Sequence, residues 1–167
     1  MSFPFTIVIL WLHVLGAVVW IGGLIFQLLV VAPVLKRGPL TLERLRYSVS
    51  LDVRFRYVMW PAVGLVLLTG LYNFINVLYA TSLAGGTIPP AFVSILSIKL
   101  LLVVLMIVLQ AIQRFVVHPR TIALLTRLSS ETIDPSIDLP KSLRVSYGLH
   151  AFTVGAAVVV ILLGLRL

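Results

Sequence analysis

The sequence predicts an all-α membrane protein, a four-transmembrane-helix up-down bundle with both termini on the outer side, and three observations predict it. Of its 167 residues 60 % are hydrophobic and only 11 % charged, and the mean hydropathy is +1.15. The apolar residues gather into four runs, 3–35, 57–79, 92–117 and 145–165, each long enough at ~1.5 Å per residue to cross a ~30 Å hydrocarbon core. Eleven of the 13 Lys and Arg residues, with all five acids, lie in or beside the first and third connections, and the second connection has none. Lys and Arg concentrate on the cytoplasmic side of membranes. The two charged connections are therefore expected in the cytoplasm, and the chain as one multi-pass domain, 1–167, in the cell inner membrane.

The first run carries only two strongly polar side chains, His13 and Gln27. On a helix of period 3.6, His13, Gly16, Ala17, Trp20, Gly23, Leu24 and Gln27 share a stripe. Small residues let a neighbouring helix approach, and polar groups inside a bilayer face protein, cofactor or water rather than lipid. No Lys or Arg precedes the run, which is too long for a cleaved signal and reads as a retained span. Residues 36–56 set six basic side chains against Glu43 and Asp52 and read as a basic loop with room for a surface helix.

The second run has Pro61 near its expected start, where a proline disturbs least, and Thr69, Tyr72, Asn73 and Asn76 on one face. The uncharged connection ATSLAGGTIPPA contains Gly85-Gly86 and Pro89-Pro90 and reads as a short turn. In the third run Lys99, Met106, Gln110 and Gln113 recur on one face, and His118-Pro119 is expected to end the helix. Of the last connection, TIALLTRL suits an interfacial segment and SSETIDPSIDLP a coil. The fourth run has Ser146, His150, Thr153, Ala157 and Gly164 in a stripe.

Depth follows from orientation. His13 and Lys99, each about eight residues into a helix of the same direction, lie roughly 12 Å below the outer end, with Tyr72 and Asn73 near the same level. His150 falls level with Gln27 and Gln110 near the inner end, and close to Trp60. The two histidines are then roughly 15 to 20 Å apart, too far to share one metal ion. Cysteine is absent, which excludes disulfides, thiolate zinc, iron–sulfur clusters and thiol nucleophiles. The net charge of +8 serves orientation and anionic lipid heads, and no nucleic acid is implied. His13, on a small-residue stripe opposite an intramembrane lysine, is the leading functional candidate. Lys99 needs an anion, and because every acid lies in or beside the charged connections, that anion must come from a ligand, a lipid or another chain. His150 suits either a second ligand station or proton transfer beside Gln27 and Gln110. His118 reads as interfacial, and Trp11, Trp20 and Trp60 as packing or interface aromatics. With three Met in all, one of them the initiator, a soft copper path is thin.

The segment LHVLGAVVWIGGLIF, with His13, Trp20, Gly22 and Gly23, the LLTGL segment at 67–71, and IKLLLVVL with Lys99 together resemble the CopD and HemJ group of four-helix bacterial membrane proteins. In HemJ proteins the matching histidine and lysine are associated with haem b and protoporphyrinogen oxidation; in CopD proteins the fold is associated with copper uptake across the inner membrane. The chain departs from HemJ where a Pro-Arg pair ends the first helix, here Pro33 followed later by Lys36-Arg37, and it lacks the Asn-Glu pair of the last helix. The resemblance implies haem b with His13 and Lys99, for electron transfer or porphyrin oxidation; the shared depth and the need of Lys99 for an anion then suggest a propionate at Lys99, with Tyr72 or Asn73 at the periphery. The alternatives are copper transport or resistance, with His13 and His150 as successive metal stations, and an accessory subunit of a respiratory complex. The expected partners are the lipid bilayer and either a redox partner or a second copy in a homo-oligomer.

Overall fold

A computed structural model of the chain describes residues 3–33, 42–120, 122–123, 126 and 141–166. Among them stand four long helices and no strand. Helix α1, Phe3–Phe26, continues through a π-helical turn, Gln27–Val31. Helix α2 is Leu42–Leu83; α3 is Pro90–Ile112, extended by a second π-helical turn, Gln113–Val117; α4 is Lys141–Gly164. Each contains a stretch long and apolar enough to cross a membrane: Phe5–Val31, Val49–Leu83, Pro90–Arg120 and Tyr147–Gly164. The all-α four-span architecture is as the hydropathy pattern predicts, and the chain is a multi-pass membrane protein in contact with the lipid bilayer. Residues 34–41, most of the last connection, and the side chain of Ser146 lie outside the described residues.

Three local expectations give way. The basic segment before the second span, expected as a loop with room for a surface helix, is helix from Leu42 onward and runs without a break into the span. No Gly or Pro occurs between residues 42 and 60, and Asp52 pairs with Arg56 one turn later, so nothing breaks the coil. Pro61 consequently sits well inside α2, where its missing N–H leaves the Tyr57 carbonyl without the usual helical donor. Nor does Pro119 end α3, since helix continues through residue 120. The His118 N–H bonds back five residues to the Gln113 carbonyl, and this wider turn accommodates the proline ring. The second connection behaves as expected: Gly85, at φ 65°, closes α2 with Gly86 N–H on the Thr81 carbonyl at 3.1 Å, and Pro90 opens α3.

Helix α1 packs along α2 and α3 along α4, and contact between α1 and α4 joins the pairs. Trp20, Leu24, Met59, Val63, Met106 and Ala157 form the centre of the core. Across it the indole N–H of Trp20 donates to Gln110 Oε1 at 3.2 Å, a tie between α1 and α3. Lipid is as apolar as leucine, so close approach rather than water exclusion holds such helices together. At Gly16 a Cβ would stand 2.9 Å from Val66 Cγ2, and at Gly23 it would overlap the Phe55 ring, so α1 and α2 meet at glycines. The outward faces are apolar, with Leu68, Leu101 and Phe115 all largely exposed, as a hydrocarbon environment requires.

Candidate functional site

His13 lies half-buried between α1 and α2. Its Nδ1 is 3.1 Å from the Val66 carbonyl and 3.0 Å from Thr69 Oγ1, while the Thr69 hydroxyl donates to the Leu65 carbonyl at 2.6 Å. A carbonyl only accepts, and the Thr69 proton is already committed, so Nδ1 carries the ring hydrogen and both oxygens receive it. Nε2 is thereby left with its lone pair and with no partner among the described residues. This is the arrangement that prepares an imidazole as a metal ligand: one nitrogen oriented by a carbonyl, the other free. Gly70 makes the seat, because a Cβ there would stand 3.1 Å from His13 Cε1.

Lys99 is half-buried, its Nζ lying 3.4 Å from where a Cβ on Gly164 would stand, so the ammonium rests against the last turn of α4. It is within electrostatic reach of His13 and has no acidic partner among the described residues. Tyr72 and Asn73 are half-buried on α2, Tyr72 edge-on to Phe5 with ring centroids 5.8 Å apart. Among the described residues no group of three or more His, Cys, Asp or Glu side chains gathers in a metal-binding cluster.

His150 stands elsewhere. Its Nε2–H donates to Gln27 Oε1 at 2.5 Å, and its Nδ1 accepts from the Gln113 side-chain amide. In this arrangement neither ring nitrogen has a lone pair left for a metal. Fourteen residues of α1 separate His13 from Gln27, about 20 Å along the helix, so the two histidines occupy separate layers. Each glutamine that grips His150 opens one of the two π-helical turns. The turns share a sequence, QLLVVAP at 27–33 and QRFVVHP at 113–119. This repeat, Gln-x-x-Val-Val-x-Pro, was the signal in the sequence for a paired device around His150, and polarity and period alone missed it.

Between the two repeats, α2 and α4 lies a cavity of about 380 Å³, lined among others by Gln27, Gln110, Arg114, Trp60, Tyr147 and His150. Arg54, Arg56, Asp52, Gln113 and His118 also belong to its polar wall. The Asp52 carboxylate accepts from Arg56 and, at 3.2 Å, from His118 Nδ1, so His118 ties the end of α3 to α2. Two donors in this wall, Gln110 Nε2 and Arg56 Nη1, are buried with no hydrogen-bond partner among the described residues.

These features define a small multi-pass bundle with an isolated, oriented intramembrane imidazole at one end and a basic cavity at the other. Residues 52–162, more than half of the chain, match the family model CopD, copper resistance protein D, and the chain belongs to that family. The match covers Lys99, His118, His150 and the repeat of α3, and it begins after His13. No curated protein and no solved structure matches the chain.

Proposed function

We propose that this protein handles copper within the inner membrane, with His13 Nε2 as a transient, single-nitrogen station for the ion on its way across. The family supports a copper substrate, and the observation that carries the station is the Nδ1–H held by Val66 and Thr69, which leaves Nε2 as a donor to a borderline-soft metal. The donor set suits passage rather than storage: one imidazole, with no cluster around it among the described residues. His150, held through both nitrogens, serves as a structural or proton-handling residue and not as the second metal station. The orientation, with both termini outside, rests on the charge asymmetry of the connections.

A second reading, haem b on His13 for electron transfer or porphyrin oxidation, draws on Lys99, whose ammonium has no acidic partner among the described residues and suits a propionate better than a nearby copper ion. The imidazole fits that role as well as it fits a single ion, and the close approach of α1 and α2 at Gly16 and Gly70 favours the smaller occupant. One preparation separates the two. The protein purified after growth with excess haem and copper should lack a Soret band, bind one Cu(I) per chain, and lose it in His13→Ala while His118→Ala retains it. A b-type spectrum lost in His13→Ala would establish haem instead.

A further inference from the structure

The cavity between the two Gln-x-x-Val-Val-x-Pro segments is walled by three guanidinium groups, Arg54, Arg56 and Arg114, against one carboxylate. That carboxylate, Asp52, receives both Arg56 and His118 on its Oδ2. Three nearby acceptors are taken as well: Gln27 Oε1 by the His150 proton, His150 Nδ1 by the Gln113 amide, and Gln110 Oε1 by the Trp20 indole. Two buried donors are left over. Gln110, only 5 % exposed, has an Nε2 without a hydrogen-bond partner among the described residues, and so does the buried Nη1 of Arg56. A buried donor without an acceptor costs about 1–3 kcal/mol, more on a charged group, and native structures keep few of them. A water relieves one donor without answering the excess positive charge. A tetrahedral oxyanion does both, since its several acceptor oxygens can meet guanidinium and amide donors together.

We propose that this cavity is a phosphate-binding site, with Arg54 and Arg114 supplying charge at its mouth and Arg56 and Gln110 supplying the inner donors. Both arginines at the mouth are exposed, whereas Arg56 and Gln110 sit deeper in the wall, so the site grades from solvated charge to desolvated hydrogen bonds. The phosphate comes either from a phospholipid head at the membrane surface or from free inorganic phosphate. Basic pockets between transmembrane helices take lipid heads in this way. The site is independent of the copper station, being in the other polar layer.

The test uses the full chain in nanodiscs of digalactosyldiacylglycerol, a lipid without phosphate. Its unfolding midpoint is followed against inorganic phosphate at constant ionic strength, and compared with nanodiscs containing phosphatidylglycerol. A phosphate-dependent rise in the phosphate-free lipid assigns the site to the free anion. A rise with phosphatidylglycerol that phosphate does not increase assigns it to the lipid head. In either case Arg114→Gln should weaken the half-saturating concentration about tenfold, the loss of one charge-assisted contact. Gln110→Glu, which keeps the acceptor for Trp20 but replaces the orphan donor with an anion, should abolish the rise without unfolding the bundle. Arg120→Gln, outside the cavity wall, should behave as the parent. The proposal is overturned if neither phosphate source raises the midpoint, or if Gln110→Glu and Arg114→Gln respond as the parent does.

Discussion

At the scale of residues, the deciding feature is how one imidazole is divided between two tasks. Val66 and Thr69 take the Nδ1 hydrogen, and this fixes both the tautomer and the ring plane. Thr69→Val keeps the volume and removes the hydroxyl, so it should cost about 1 kcal/mol of stability by thermal unfolding. Copper affinity at His13 should also fall about tenfold, as losses of orienting partners do. Gly70→Ala should also shift this ring, because a Cβ there would stand 3.1 Å from Cε1. Lys99 gives a prediction of opposite sign for the two readings. Removing its charge in Lys99→Met should raise Cu(I) affinity by relieving repulsion, whereas a haem held through a propionate would be retained less well; titration of the purified variant reads which occurs.

At the scale of elements, the two π-helical turns and their prolines place glutamines from α1 and α3 on the same histidine of α4. Gln27→Leu alone leaves the His150 Nε2–H buried without an acceptor, and should cost roughly 1–3 kcal/mol in the unfolding free energy. The triple replacement of Gln27, His150 and Gln113 by leucine removes donors and acceptors together and should recover most of that loss. The contrast between single and triple variants is the check. These elements also mark where the sequence could be read and where it could not. The stripe from His13 to Gln27 was legible because lipid enforces the helical period: Gly16, Trp20 and Leu24 on it are buried, and so are Thr153 and Ala157 on α4. The long start of α2 was not, since charged residues that suggest a loop by polarity are equally good helix formers. Pro119 was misread because the outcome depends on the hydrogen-bond register before it, which a π-turn shifts by one residue. His13's partner on α2, in place of the level Lys99, depended on the rotation of α2 against α1, which Gly16 and Gly70 set by close contact and no periodicity encodes.

At the scale of the whole molecule, the charge asymmetry predicts which end of the bundle faces the cytoplasm, and the absence of cysteine makes the test clean. Gly85→Cys should react with an impermeant thiol reagent outside sealed cells and Ser130→Cys should not; the reverse pattern would invert the orientation. With that orientation the His13 layer would face the outer side and the basic cavity the inner one, so an ion entering from outside would meet the imidazole first. The central claim, that the fold holds His13 with Nδ1 tied down and Nε2 offered to copper, is tested most directly by ¹⁵N NMR of the ring in lipid nanodiscs with and without Cu(I). The account predicts that Nδ1 is protonated in both states and that only the Nε2 resonance moves on adding the metal. A ring protonated at Nε2 in the metal-free protein, or an Nε2 resonance indifferent to Cu(I), would contradict it.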